Sequence, residues 1–374
     1  MALRKIKLGE LIEKSELKNS DELFDDSSVR GISINKCFAP TKADAENIDL
    51  KCFKIVKPNY FAFNTATSRN GEKISIAFND SSETIIVSSL YDVFYLNDYG
   101  KQLLDERYLY IFFNRSEFDR YARTDSWGSA REYFRFGNMC DVEIELPDIE
   151  TQRKFVAVYL AMIENQKSYE RGLEDLKMVC DGFIENLRRT NPSVKIGRFI
   201  NEYSEKNKDK RIDEVVGLST SKSFREAQSR VNKSELGGYK IVHPLDFAYV
   251  PTTDTWKVLA FAVNHFGRDV VVSPIYEVFS VDRKVINPDY LAMWLKRKEF
   301  DRYARYNSWG SARENFIFDE MKEVEIPIPD LKIQESIVNI YQCFIERQEI
   351  NEMLKKQIKD LCPILIKGSI EEVR

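Results

Sequence analysis

The chain carries one fifteen-residue segment twice, as FDRYARTDSWGSARE at residues 118–132 and as FDRYARYNSWGSARE at residues 300–314. Thirteen of the fifteen positions are identical, and the offset is 182 residues. Upstream, FKIVKPNYFAF (53–63) resembles YKIVHPLDFAY (239–249) at a similar offset. Matches spread along the chain indicate a tandem duplication with two copies. Two copies of such a long period exclude a solenoid, which stacks several short repeats.

Each copy has the pattern of a mixed α/β domain followed by a long helix. Short alternating apolar segments such as Thr84–Ser88 and Val142–Leu146 lie between turn-forming Asn, Asp, Ser and Gly residues, which predicts strands. We place one domain at 1–148 and the other at 193–330, with helical segments at 149–192 and 331–374.

Apolar residues at spacings of three and four predict long helices from about Glu150 to Arg189 and from about Lys332 to Lys367. Pro192 ends the first helix, since the residue before a proline avoids the helical conformation. Such an apolar stripe packs either on its own domain or on another helix, and two matching stripes in one chain favour pairing of the helices. The first stripe contains Phe155, Tyr159, Met162, Tyr169, Leu173, Leu176, Cys180, Phe183 and Leu187, interrupted by Gln166, and the second contains Ile337, Tyr341, Phe344, Ile358, Cys362 and Leu365, interrupted by Gln348, Asn351 and Lys355.

The order of the elements predicts how the helices pair. Each domain precedes its helix, so an antiparallel helix pair places the two domains at opposite ends, related by a pseudo-twofold axis. A parallel pair places both domains at one end, where they collide. The expected fold class is therefore α/β (mixed α+β), with two tandem-duplicated domains joined by two long helices that form an antiparallel coiled coil.

The repeated segment is rich in arginine, which suggests contact with nucleic acid. Ser-Ala-Arg-Glu at 129–132 and 311–314 also has the pattern of a capping box, in which Ser and Glu satisfy backbone N–H groups at the start of a helix. Capping explains the Ser, Gly and Glu residues but not the clustered arginines, which suit phosphates and base edges. Both interpretations stay open. The candidate DNA-binding residues are Arg120, Arg123, Ser126, Trp127 and Arg131 in the first copy and Arg302, Arg305, Ser308, Trp309 and Arg313 in the second.

A second candidate segment is TSKSFREAQSRVNK at 220–233, where basic residues alternate with Ser, Gln and Asn. These side chains suit base edges and phosphates, although a solvated polar helix has the same composition. The counterpart SINKCFAPTKAD (33–44) differs in composition, as expected of two domains that recognise different sequences. The candidate residues are Lys222, Arg225, Arg230 and Lys233, with Arg69 of SRNGEK (68–73) as a further one.

The composition favours a cytoplasmic binding protein without chemistry of its own. The six cysteines are scattered and there are only two histidines, so the sequence predicts neither a structural zinc site nor a Ser-His-Asp triad. There is no phosphate-binding GxxxxGK[ST] loop and no apolar run long enough to cross a bilayer. The net charge of −4 does not exclude DNA binding, because the footprint that matters is local.

These residues resemble the specificity subunits of type I restriction–modification systems. The similarity rests on the paired GSAR segments at Gly128–Arg131 and Gly310–Arg313, on VEIELPD (142–148) and VEIPIPD (324–330), and on the glutamine that follows each. It covers essentially the whole chain. The resemblance implies two target-recognition domains, each recognising one half of a bipartite asymmetric DNA site, and a helical spacer that sets the gap.

The resemblance also implies partners and a division of labour. This chain binds double-stranded DNA, two methyltransferase subunits bind its coiled coil and neighbouring faces, and restriction subunits join them. S-adenosylmethionine, ATP and magnesium belong to those partners, so this chain is expected to bind no cofactor or metal and to be no enzyme. The alternatives are a specificity subunit of a related type II system with a fused methyltransferase and nuclease, and a coiled-coil scaffold with two protein-binding heads.

Overall fold

A computed structural model describes residues 3–33, 35–41, 49–66, 73–126, 132–227, 233–252, 258–310 and 313–374. The chain divides into two compact units: unit 1 comprises Met1–Tyr169 and Ile350–Arg374, and unit 2 comprises Glu170–Glu349. Each unit therefore contains a domain together with one part of each of the two long helices. Within the described residues, no helix is both long and apolar enough to span a bilayer.

The described residues of the first half form ten strands and five α-helices. Strands are β1 (Arg4–Lys7), β2 (Ile12–Ser15), β3 (Arg30–Ile32), β4 (Phe38–Pro40), β5 (Lys54–Val56), β6 (Phe61–Asn64), β7 (Ile76–Phe78), β8 (Ile85–Val87), β9 (Tyr91–Leu96) and β10 (Glu143–Leu146). Helices are α1 (Gly100–Leu103), α2 (Glu106–Phe113), α3 (Ser116–Thr124), α4 (Phe136–Cys140) and α5 (Ile149–Thr190).

The second half repeats this order of strands and α-helices, except that its described residues include no counterpart of α1. Strands are β11 (Ser193–Lys195), β12 (Ile200–Tyr203), β13 (Val216–Leu218), β14 (Phe224–Glu226), β15 (Lys240–Val242), β16 (Phe247–Tyr249), β17 (Phe261–Val263), β18 (Val270–Val272), β19 (Glu277–Val281) and β20 (Glu325–Pro327). Helices are α6 (Pro288–Leu295), α7 (Lys298–Tyr306), α8 (Phe318–Lys322) and α9 (Leu331–Glu371).

The two halves share one sheet topology. A four-stranded antiparallel sheet has the order β2-β9-β6-β7 in unit 1 and β12-β19-β16-β17 in unit 2. Three two-stranded ladders accompany each sheet, namely β1-β10, β3-β4 and β5-β8, and correspondingly β11-β20, β13-β14 and β15-β18. The register repeats as well: Phe61 lies opposite Phe94, and Phe247 opposite Phe279, as stacked ring pairs. The prediction of two duplicated mixed α/β domains is confirmed.

The long helices begin and end close to the predicted residues because local signals define their ends. Asp148 caps α5 by accepting hydrogen bonds from the backbone N–H groups of Glu150 (3.1 Å) and Thr151 (3.0 Å). These bonds hold the pKa of Asp148 below its ordinary value. Asp330 accepts from the N–H of Ile333 at the start of α9 (3.0 Å). The helix α5 ends directly before Asn191–Pro192, as predicted.

In each unit the helix segments run antiparallel. In unit 1, Lys154 near the start of α5 pairs with Glu372 beyond the end of α9, and Gln166 donates to Asn351 (2.9 Å). In unit 2, Ile184 packs in the same apolar cluster as Ile337 near the start of α9. The predicted antiparallel pairing is therefore confirmed, with one change: Phe183 is exposed, and the neighbouring Ile184 is the buried residue of the stripe.

Gln166, which interrupts the apolar stripe of α5, is buried and contacts Asn351 of α9. Gln166 and Asn351 are both buried, and the amide of Gln166 donates to the side-chain oxygen of Asn351. A shift of either helix by one residue separates the two amides. Each amide is then buried without its hydrogen-bond partner, which lowers the stability of the folded state. We infer that this pair specifies the register of the helices in unit 1.

Candidate nucleic-acid interface

The FDRYAR sequence forms most of helix α3 in unit 1 and of helix α7 in unit 2. In α3 the residues Phe118 and Ala122 are buried, four positions apart on one face. The arginines lie on other faces, and the side chains of Arg120 and Arg302 are 74% and 73% exposed. The helix thus uses its aromatic residue as an anchor and presents its arginines to solvent.

The aspartate of FDRYAR forms a buried ion pair with a lysine in both units. The Nζ of Lys36 lies 2.7 Å from Oδ1 of Asp119, and the Nζ of Lys222 lies 2.8 Å from Oδ1 of Asp301. Each ammonium also donates to a backbone carbonyl at the end of the preceding helix, that of Phe113 or Leu295. Burial lowers the pKa of both lysines, while the aspartates act in the opposite direction. The pair therefore fixes a strand hairpin against the arginine-bearing helix.

The structure does not support the prediction that Lys222 contacts DNA. Its side chain is only 6% exposed, because the turn between β13 and β14 adopts a left-handed conformation at Lys222 (φ 60°) and the ammonium is bonded inside the unit. Lys36 has the same conformation (φ 61°) in the turn between β3 and β4. The signal in the sequence is the shared pattern S-x-x-K-x-F at 33–38 and 219–224, which a comparison of overall composition misses.

The other members of the 220–233 candidate segment do not form an exposed basic helix. Phe224–Glu226 is strand β14, and Arg225 donates from Nε to the carbonyl of Leu218 across the hairpin (2.9 Å). This hydrogen bond engages the Nε atom of the Arg225 guanidinium inside the unit. The remaining candidates lie outside what the structure describes, namely Arg230, Arg69 and the side chain of Lys233.

The structure also does not support DNA contact by Ser126 and Ser308. Both residues are buried, and their hydroxyl groups donate to the carbonyls of Ala122 (2.5 Å) and Ala304 (2.6 Å). These bonds satisfy carbonyls at the end of helices α3 and α7, where the helix itself supplies no donor. The repeated serine therefore terminates the helix.

A closed loop follows helix α7. The backbone N–H of Trp309 donates to the carbonyl of Asn315 (3.1 Å), and the N–H of Asn315 donates back to Trp309 (3.0 Å). The loop is attached to the sheet through Thr252, whose hydroxyl donates to Oδ1 of Asn315 (3.0 Å). The side chain of Trp309 is 66% exposed, and Arg313 is exposed as well.

The predicted capping box is wrong. Glu314 is not helical, Asn315 forms a bridge with Trp309, and the next helix begins only at Phe318. In unit 1 the bridge joins Ala66 to Tyr133, and Trp127 and Arg131 lie outside the described residues. The cross-loop hydrogen bonds of Trp309 and Asn315 take the place of helical ones, so Glu314 does not lie in the first turn of a helix.

We expect Gly310→Ala to open this loop in unit 2. Gly310 has φ +148°, and a Cβ there lies 2.1 Å from the carbonyl oxygen of Arg313. We expect a local cost of about 1–3 kcal/mol and faster hydrogen exchange at the amide of Asn315. Gly267→Ala is the control, since Gly267 also has positive φ (+68°) but open space around its Cβ position. Equal effects of the two substitutions contradict the proposed close approach.

The exposed residues of α7 and its loop form the candidate interface of unit 2. Arg302, Arg305 and Tyr306 share one helical face at spacings of three and four. Arg302 has an exposed carboxylate partner, Glu299, at 3.7 Å, and such a pair contributes little and exchanges readily. Guanidinium groups, exposed rings and the loop arginine are the groups that bind phosphates and bases. In unit 1, α3 presents Arg120 and Arg123 in the same way.

Among the described residues, no cluster of three or more His, Cys, Asp or Glu side chains has the arrangement needed to hold a metal ion. The arrangement supports binding through charge and hydrogen bonds.

The sequence model of the type I restriction modification DNA specificity domain matches residues 261–360. No curated protein matches the chain in sequence. Solved structures that resemble the chain include the S subunit of a type I restriction–modification system from M. genitalium, at 11% identity and TM-score 0.62, covering 99% of this chain and 96% of that one. The HsdS subunit from Thermoanaerobacter tengcongensis has 13% identity and TM-score 0.41, covering 100% of this chain and 97% of that one.

The likeness to the M. genitalium subunit concerns the fold, which the two chains share along nearly their whole lengths. The sequence match is confined to residues 261–360, which include helix α7 and most of helix α9. Residues 261–360 thus match the type I restriction modification DNA specificity domain, and the chain shares the fold of the M. genitalium S subunit along nearly its whole length.

Proposed function

We propose that each half of this DNA-recognition subunit recognises one half of a bipartite, asymmetric DNA site. The observation that carries the proposal is the repeated assembly of buried Lys–Asp pair and arginine-bearing helix, in unit 1 at Asp119 and in unit 2 at Asp301. A rigidly held helix with outward arginines positions a protein on the phosphate backbone. Divergent segments near it then contact different bases in the two halves.

The long helices α5 and α9 act in this proposal as the spacer that sets the gap between the half-sites. Two methyltransferase subunits bind the helices and neighbouring faces, and restriction subunits complete the assembly in the cytoplasm. Methylation and cleavage, with S-adenosylmethionine, ATP and magnesium, belong to those subunits. The acidic overall charge of −4 agrees with a chain that shares its DNA affinity with partners.

The proposal is tested by co-expressing the chain with its neighbouring methyltransferase subunit in a host without adenine methylation. The modified bases are then mapped across the genome. We expect one split motif, with two short half-sites separated by a fixed unspecified gap. An uninterrupted motif contradicts recognition by two domains. Absence of methylation, with a methyltransferase proven active beside another specificity subunit, supports the scaffold alternative instead.

A further inference from the structure

A small cavity in unit 2 lies outside the candidate interface. It has a volume of about 130 Å³ and is bounded by the end of α5, the turn between α6 and α7, and strand β20. Leu295, Phe300, Val324 and Ile326 form apolar walls. Polar groups come from two arginines, two glutamates, one tryptophan and one tyrosine.

Two hydrogen-bond donors at this cavity are buried without an acceptor among the described residues. They are Nη1 of Arg297 and Nε1 of Trp294, and both residues line the cavity. The indole N–H of Trp294 acts on the pKa of the Tyr290 hydroxyl but does not have hydrogen-bond geometry to it. Trp294 is 5% exposed. Buried donors are nearly always paired in folded proteins, so two of them beside one cavity indicate an acceptor that binds there.

Two arginines and two glutamates line the cavity, so its formal charges balance, and an anion bound there relies on the two guanidinium groups. The guanidinium carbons of Arg188 and Arg297 lie 5.4 and 5.3 Å from the centroid of the Trp294 ring. Arg297 pairs through Nε with Glu299 (3.2 Å), whereas Arg188 has no carboxylate partner among the residues that the structure describes. A guanidinium stacked on an indole is well placed to bind an anion at its edge.

The size and charge of the lining favour a carboxylate over a phosphate. Glu299 and Glu325 also face the cavity, and they repel a dianion about twice as strongly as a monoanion. The apolar walls further penalise the more strongly hydrated dianion. A carboxylate has one negative charge and two oxygens, which match the two unpaired donors.

The described residues of unit 1 do not form such an arrangement. Phe112 stands at the position of Trp294 and offers no N–H group, and Ile370 stands at the position of Arg188. Arg115, the counterpart of Arg297, stacks on the Phe112 ring at 4.0 Å and donates from Nε to the carbonyl of Phe112 (3.1 Å). The two halves therefore differ at this place although the surrounding fold repeats.

We propose that this cavity is a carboxylate-binding site of unit 2, filled by a small organic acid or by an acidic side chain of a partner protein. The indole N–H of Trp294 and the guanidinium of Arg297 donate to the carboxylate oxygens, and Arg188 supplies the compensating charge.

The test follows the indole N–H signals of the four tryptophans by nuclear magnetic resonance in the ¹⁵N-labelled full chain. Trp294→Phe assigns the signal, and sodium acetate is titrated at constant ionic strength with sodium chloride. We expect a saturable shift of the Trp294 signal, weakened at least tenfold by Arg188→Gln. Arg115→Lys in unit 1 is the matched control and leaves the titration unchanged.

Three outcomes overturn the proposal: no saturable shift, an equal response to chloride, or phosphate binding as tightly as acetate. A second titration with a capped peptide containing one glutamate distinguishes the two sources. Tighter binding of the peptide than of acetate identifies a protein side chain, and the reverse identifies a free acid; either result supports the site. Because DNA takes no part, the result is independent of the proposed function.

Discussion

Asp301→Ala is expected to destabilise unit 2 by about 3–5 kcal/mol, since it leaves the ammonium of Lys222 buried without its counter-ion. The side chains of Lys222 and Asp301 are 6% and 15% exposed, so water does not replace the lost carboxylate. Asp119→Ala is expected to do the same in unit 1 through Lys36. Denaturant unfolding, with hydrogen exchange resolved for each unit, measures both effects.

Two further variants test the physical reason for this loss. Lys222→Met in the Asp301→Ala background removes the unpaired charge and is expected to recover most of the stability, because an apolar side chain of similar length fills the site. Glu299→Ala removes an exposed carboxylate from the same helix and is expected to cost no more than about 1 kcal/mol. A loss below about 1 kcal/mol for Asp301→Ala contradicts the role assigned to the pair.

The double substitution Arg302→Ala and Arg305→Ala is expected to weaken binding of the assembled complex to one half-site by roughly 10–100-fold. Both side chains are exposed on α7, and each phosphate contact that is lost lowers the slope of log K against log salt by about 0.9. The expected change in slope is therefore about two. Binding to synthetic duplexes at several salt concentrations, with each half-site scrambled in turn, measures the affinity and its origin.

Matched variants separate recognition from net charge. Arg120→Ala with Arg123→Ala in α3 is expected to affect the other half-site to a similar degree. Lys206→Ala with Lys208→Ala removes the same charge from an exposed loop of unit 2 and is expected to have a small effect. If both arginine pairs affect both half-sites equally, the two helices do not act as separate elements of recognition.

Much of the fold follows from local sequence signals. The long helices are predicted to within a few residues because apolar spacing and Pro192 act within a turn or two of chain. The antiparallel pairing follows from chain order and the two stripes. The significance of Gln166 does not follow, because its partner Asn351 lies 185 residues away and only packing brings the two amides together.

The candidate site was less predictable. The basic residues of the 220–233 segment have similar side chains, yet Lys222 is buried against Asp301 and Arg225 is bonded across a hairpin. Charge in a sequence does not report burial, since a lysine costs little in water and is also stable inside when a carboxylate faces it. The prediction of a capping box was wrong for a related reason. Asn315 is held by a tertiary hydrogen bond from Thr252 instead of by the hydrogen bonds of a local helix.

The sequence alone determined that the chain is a duplication, that each copy is an α/β domain with a long helix, and that arginines recur at equivalent places. These properties depend on periodicity and identity, which are local or directly comparable between the copies. Only the tertiary structure decided which charged side chains face water, which aspartate holds Lys222 and where Trp294 and Arg297 meet Arg188. The physical reason is that desolvation and pairing depend on neighbours in space, and those neighbours come from distant parts of the chain.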